Sequence, residues 1–86
     1  MPFMVYLLKC RDNSLYCGMT NSLGKRIAMH NSGRASRYTR VRLPAKLAYS
    51  EKAVSKGAAL KREHQIKGLS RKEKLRLLEK WKKRKK

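Results

Sequence analysis

The chain has 86 residues, room for one domain around a modest core and not for two. Its 24 Lys and Arg against 5 Asp and Glu leave a formal charge of +19. That self-repulsion suits a polyanionic partner, nucleic acid before an anionic membrane surface. No run approaches the roughly twenty apolar residues of a membrane span, and Met1-Pro2-Phe3-Met4 lacks the basic-then-apolar pattern of a signal peptide, so a cytoplasmic location without a membrane is expected. Cys10 and Cys17 are too few for a disulfide framework or a four-cysteine zinc site and are expected to be reduced thiols.

Phe3 to Cys10 is an almost unbroken apolar run bounded by turn residues, which predicts a strand covered on both faces. Arg11-Asp12-Asn13 is the expected hairpin turn. A two-residue loop would put Tyr6 and Tyr16 on opposite faces of the sheet. A three-residue loop with Asn13 left-handed puts Tyr6, Tyr16 and Gly18 on one face, and Asn tolerates that conformation better than most residues. Leu15 to Met19 reads as the second strand, with Gly18 leaving room for a close approach to the backbone. Thr20-Asn21-Ser22 reads as turn and N-cap to a helix over Leu23 to Asn31, closed by Ser32-Gly33. On that helix Arg26 and His30 lie one turn apart beside the stripe of Leu23 and Ile27, so two polar groups are held half-sunk against the fold.

Arg34, Arg37, Arg40 and Arg42 then interleave with Tyr38 and two hydroxyls. Arginine offers bidentate phosphate contacts and Tyr38 a stacking surface, so the segment reads equally as a backbone-gripping loop or as a solvated one. Pro44 opens a third strand, Ala45 to Ser50, with Leu47 and Tyr49 expected on one face, and Glu51 to Val54 is a connection. Ser55 caps a helix ending near Lys67-Gly68, whose inward arc is Ala59, Leu60 and Ile66. Glu63 falls within that arc, and a carboxylate there needs compensation. An ion pair with a neighbouring base, or a hard cation such as Mg²⁺ (or Mn²⁺) held by Glu63, would each supply it. Ser70-Arg71-Lys72-Glu73 is a capping box that starts a last, amphipathic helix with Leu75, Leu77, Leu78 and Trp81 on one arc. Residues 1–82 are expected to form the domain and 83–86 a basic tail.

In order, Val5-Tyr6-Leu7, Leu15-Tyr16-Cys17-Gly18, Arg26 with His30, and Glu63 on a later helix resemble the GIY-YIG nuclease superfamily. The runs Leu8-Cys10, Ser14-Tyr16, His30-Gly33, Tyr38-Arg40 and Leu60-Glu63 with Gln65-Lys67 are similar to its small standalone bacterial and archaeal members. The resemblance covers residues 4 to 70. It implies an α+β fold, a three-stranded antiparallel sheet flanked by helices. It also implies a metal-dependent endonuclease acting on DNA in preference to RNA, of a repair or recombination type, with one divalent metal on Glu63. Tyr6 would help activate water, Tyr16 line the scissile phosphate, Arg26 steady it, and His30 bond a tyrosine hydroxyl or relay a proton. Gly18, Arg34, Arg37, Tyr38, Arg40 and Arg42 are the accompanying nucleic-acid contacts. The chain departs from the family pattern in reading Met4-Val5-Tyr6 for Gly-Ile-Tyr and Cys17 for isoleucine, and in having no Asn after Asn31. The rival readings are a non-catalytic nucleic-acid-binding module with the same fold and an RNA-associated protein. So small a recognition surface also leaves room for a targeting partner protein.

Overall fold

The computed structural model describes residues 2–84. In chain order it contains β1 (Phe3–Lys9), β2 (Leu15–Thr20), α1 (Leu23–Asn31), α2 (Arg37–Arg40), β3 (Lys46–Ala53), α3 (Lys56–Lys67) and α4 (Arg71–Arg84). The strands form one antiparallel sheet in the order β2-β1-β3. Because β1 is central, both its faces need cover, and Val5, Tyr6, Leu7 and Leu8 are all buried. Val5, Leu7, Cys17 and Tyr49 pack against Ala59 and Ile66 of α3 and Leu78 of α4. Tyr6, Leu8, Cys10 and Ala45 form the other layer, under Tyr16, Leu23, Ile27, Leu43 and Leu47. No helix among the described residues is long and apolar enough to cross a membrane.

The β1–β2 turn is the three-residue loop. Asn13 has φ 68°, the Cys10 N–H donates to the Ser14 carbonyl at 2.9 Å and the Asn13 N–H to the Cys10 carbonyl at 2.9 Å, a tight turn followed by a bulge. Asp12 braces it by accepting from the Ser14 N–H at 3.0 Å and hydroxyl at 2.6 Å. The resulting register sets Tyr6 opposite Gly18 and Leu8 opposite Tyr16. Since paired residues share a face, both tyrosines stand on the side covered by α1.

Elsewhere tertiary pairing moved boundaries that local pattern had set. β3 runs on to Ala53, through the predicted connection, because Glu51, Lys52 and Ala53 pair with Val5, Met4 and Phe3. Glu51 is tolerated there by the Tyr49 hydroxyl, which donates to it at 2.9 Å, and by Arg62. Leu47 and Tyr49 lie on opposite faces, not one: Leu47 pairs with Leu8 and Tyr49 with Leu7, so Ala48 is an extra residue in a β-bulge that reverses the alternation. Leu60 is 50% exposed; the side chains that α3 buries against the sheet are those of Ala59 and Ile66. Ser22 stands at the N-cap of α1 without a side-chain cap bond, whereas Ser55 caps α3 through the Ala58 N–H at 3.1 Å. The Ser70/Glu73 capping box forms in both directions, at 3.0 and 3.2 Å. α4 continues through 84, past the expected boundary at 82; the last two residues of the 83–86 tail lie outside the described residues.

Candidate active site

The site is assembled on the α1-covered face and the β2 edge. Tyr6 leaves β1 and leans over Gly18: a Cβ built on Gly18 would lie 2.6 Å from Tyr6 Cζ. The space that glycine leaves in β2 is therefore filled by the chain's own tyrosine ring, where the sequence had assigned Gly18 to nucleic acid. His30, in the last turn of α1, is fully buried. Its Nε2 stands 3.0 Å from the Tyr6 hydroxyl and its Nδ1 2.8 Å from Thr39 Oγ1.

The tautomer of His30 follows from Thr39. A hydroxyl has one proton, and that of Thr39 has the Ser36 carbonyl within reach at 3.3 Å. With its proton there, Thr39 accepts from His30 Nδ1–H and the Nε2 lone pair accepts the Tyr6 hydroxyl proton; with the proton given to Nδ1 across the shorter 2.8 Å contact, both bonds reverse. α2 makes this possible. Ser36 caps that single turn by accepting from the Tyr38 N–H at 3.1 Å, and the turn presents buried Thr39 inward and Tyr38 outward. Thr39 was not among the expected site residues; its sequence signals are its place within the Tyr38-Arg40 run and a hydroxyl three residues after a capping serine.

Burial dominates the proton affinities. It pushes the Tyr6 hydroxyl above its usual 10.0, while neighbouring Arg26 pulls it partly back. The protein by itself therefore holds Tyr6 as a phenol, not the phenolate that the surrounding positive charge would favour. Burial first, then the Arg26 charge, lowers His30 below 6.5, so the imidazole is neutral at pH 7. A group whose native pKa is depressed leaves the unfolded chain binding more protons at low pH. Stability from neutral His30 is therefore complete above about pH 6.5 and falls as the pH drops below that toward the lower native value. A melting-temperature series across pH 5 to 8 is expected to show this loss, and His30→Gln to flatten it. Asp12 and Glu73, held below 3.8 and 4.5 chiefly by hydrogen bonds from Ser14 and Ser70, keep their contribution across this range and lose it only at lower pH.

Tyr16 lies edge-on to His30 with ring centroids 5.1 Å apart and stacks on Tyr38 at 6.0 Å and 28°. The Arg42 guanidinium caps the stack 3.9 Å over the Tyr38 ring. Arg42 is also committed to Asp12 at 3.1 Å and the Tyr38 carbonyl at 2.8 Å, so it braces the stack where a free phosphate contact was expected. Arg34, Arg37 and Arg40 are exposed beside it. Arg26 differs from them all: its guanidinium lies against the Tyr6 hydroxyl and lowers its proton affinity, while its Nε is buried without a hydrogen-bond partner among the described residues. An unmet buried donor on a cation costs free energy unless an anion completes it.

Glu63 reaches the same edge from α3. Its carboxylate acts on the Tyr6 hydroxyl through space, and its carbonyl accepts from Cys17 Sγ at 3.9 Å. Cys17 is itself pushed up to about 11 by burial and stays a thiol. The Glu63 side chain is 18% exposed and its ion pair with Lys67 is long, 3.8 Å, to a side chain 55% exposed, a contact of little strength. The firm structural ion pair of α3 is instead Arg62 with Glu51. Among the described residues no three His, Cys, Asp or Glu cluster in a way that could hold a metal. A lone, weakly engaged carboxylate nevertheless fits Mg²⁺, which keeps several waters and completes its shell with substrate phosphate oxygens.

Comparisons with known proteins converge on one family. The model of the GIY-YIG catalytic domain matches residues 2–76. A UPF0213 protein of Staphylococcus haemolyticus is 48% identical over 75 residues, 87% of this chain and 92% of its own length. One of Clostridium perfringens is 53% identical over 74 residues, 86% and 80%, and one of the archaeon Natronomonas pharaonis 47% over 74 residues, 86% and 87%. The solution NMR structure of a UPF0213 protein of Bacillus halodurans superposes with TM-score 0.59 at 39% identity, covering 92% of this chain and 84% of that one.

Proposed function

From the premise that the chain belongs to the GIY-YIG catalytic domain family, a nuclease-type family, we propose that it is a metal-dependent endonuclease that hydrolyses phosphodiester bonds in DNA, one strand at a time. The observation that carries this reading is the buried line Tyr6–His30–Thr39 lying beside the unpaired Arg26 donor. In-line hydrolysis of a phosphodiester needs a proton taken from water and charge neutralised on the phosphoryl oxygens. The Tyr6 oxygen accepts the water proton as its own proton passes to His30 Nε2, with Nδ1–H held by Thr39. The two transfers occur together, so no phenolate forms; the proton comes to rest on His30, and the imidazolium produced is offset by the negative charge on the attacked phosphate. Arg26 Nε donates to the phosphate, and the Tyr16–Tyr38 stack forms the wall against which the sugar or base adjoining the scissile bond rests. Glu63 would hold Mg²⁺ or Mn²⁺, which when bound would supply charge neutralisation to the scissile phosphate and the departing sugar oxygen.

Arg34, Arg37 and Arg40 contact the backbone and carry no sequence information. Recognition is accordingly by backbone and shape, of branched or damaged DNA in repair or recombination, with a partner protein for targeting. The test is cleavage of supercoiled plasmid, a branched junction and single-stranded RNA with Mg²⁺, with Mn²⁺ and with chelator. Metal-requiring nicking of DNA is expected. Tight binding to all three with no cutting in either metal would instead establish a binding module on the same fold.

A further inference from the structure

β2 is an edge strand, paired only with β1, and across its open side runs a shallow groove of about 240 Å³ lined by Leu15, Tyr16, Cys17, Tyr38, Lys67 and Lys74. The groove takes its lining from both faces of the sheet. Tyr16 and Tyr38 form the stack on the α1-covered side, whereas Cys17 packs toward α3 and α4, the helices that carry Lys67 and Lys74. Burial raises the Cys17 thiol and both ammonium groups oppose that through space, which sets the two charges beside one point of the strand. The one ion pair of Lys67 among the described residues is its long contact with Glu63, 3.8 Å, and Lys74 makes none there. The first turn of α4 is nevertheless fixed in place. Arg71, one turn before Lys74, donates to the Asn13 carbonyl in the β1–β2 loop at 2.8 Å.

We propose that this groove carries the cleaved DNA strand from the Tyr6 site over the edge of β2, with its next backbone phosphate held by Lys67 and Lys74. The proposal rests on the nuclease reading above and deepens it, because it assigns two phosphate contacts outside the arginine segment. Continuity is what supports it. Tyr16 lines the groove and also lies edge-on to His30, with ring centroids 5.1 Å apart, so a strand resting on the Tyr16–Tyr38 wall meets the lysines by rounding the strand edge. The groove is open and smaller than the roughly 300–1,000 Å³ of clefts that enclose a small ligand, which suits a chain in passage. Lysine binds phosphate as a point charge, and two of them converge here. The lysines alone would suit an acidic peptide equally; the aromatic wall they share with the Tyr6 site decides for nucleic acid.

The test is anisotropy of a dye-labelled branched DNA junction on the intact protein, in chelator to prevent cleavage, over a salt series. Lys67→Gln/Lys74→Gln is expected to reduce the log–log salt slope by about 1.8, the share of two phosphate contacts, and to bind more than about tenfold more weakly at about 0.1 M salt. Lys80→Gln/Lys83→Gln removes the same charge from the far end of α4 and should keep the native slope. On the native chain, without any substitution, amine labelling read by mass spectrometry should find Lys67 and Lys74 protected by the junction and Lys80 still reactive. Equal losses in the two double variants, or a bound junction that leaves Lys67 and Lys74 reactive, overturn the groove and leave the nuclease reading standing. Polyglutamate that binds as tightly as the junction and protects the same two lysines overturns nucleic acid as the occupant. A native chain that does not bind the junction overturns both readings.

Discussion

Glu63→Gln is expected to lower metal-dependent cleavage by about three orders of magnitude while leaving fold and nucleic-acid binding intact. The substitution keeps the volume of the side chain and removes only its charge. Stability depends little on that charge, because its one ion-pair partner among the described residues is Lys67, at 3.8 Å and largely exposed; such pairs contribute well under about 1 kcal/mol. Catalysis depends on it heavily. A metal's share of transition-state charge stabilisation is several kcal/mol, and Glu63 is the acid that stands closest in function to Tyr6, whose hydroxyl it perturbs through space. Binding should strengthen slightly, since a negative charge leaves a surface that meets phosphate. The measurements are single-turnover cleavage of labelled junction DNA over a Mg²⁺ series, with anisotropy and thermal melting on the same preparations. Native-like cleavage by the variant would remove Glu63 from the site and send the search for a metal ligand elsewhere.

Gly18→Ala is expected to damage stability and activity together. The new Cβ would lie 2.6 Å from Tyr6 Cζ and 3.1 Å from Cε2, well inside contact distance, and the ring it meets is only 1% exposed. The ring cannot swing away freely, because its hydroxyl is tied to His30 at 3.0 Å and Tyr6 packs with Leu8, Tyr16 and Ile27. Overpacking of this kind costs about 1–3 kcal/mol. A displacement of the hydroxyl by about 1 Å is enough to lower the rate on the order of a hundredfold. Urea denaturation and cleavage assays separate the two effects when Tyr6→Leu is combined with Gly18→Ala. The double variant should recover much of the stability and none of the activity. If Gly18→Ala alone folds and cuts like the native chain, Tyr6 does not occupy the position described here.

The chain's charge, its single-domain size and its capping residues are local properties, and the elements that depend on them were legible in sequence. α1 spans Leu23–Asn31 as expected, α3 begins after Ser55, α4 after the Ser70 box, and Asn13 adopts the left-handed turn that brings Tyr6 and Tyr16 to one face. Motif order carried the family, because Tyr6, Tyr16, Arg26, His30 and Glu63 occur at spacings that survive without knowledge of packing. What only the tertiary structure decided were the contacts between segments remote in sequence. β3 outran its local pattern because β1 offered pairing partners. Ala48 reversed the alternation because a bulge is a property of two strands. The space above Gly18 belongs to Tyr6, Arg42 is spent on Asp12 and Tyr38, and Thr39 directs the proton on His30. Each of these depends on which group arrives across the fold to satisfy a donor, fill a gap or neutralise a charge, and no periodicity in a single chain segment records that arrival.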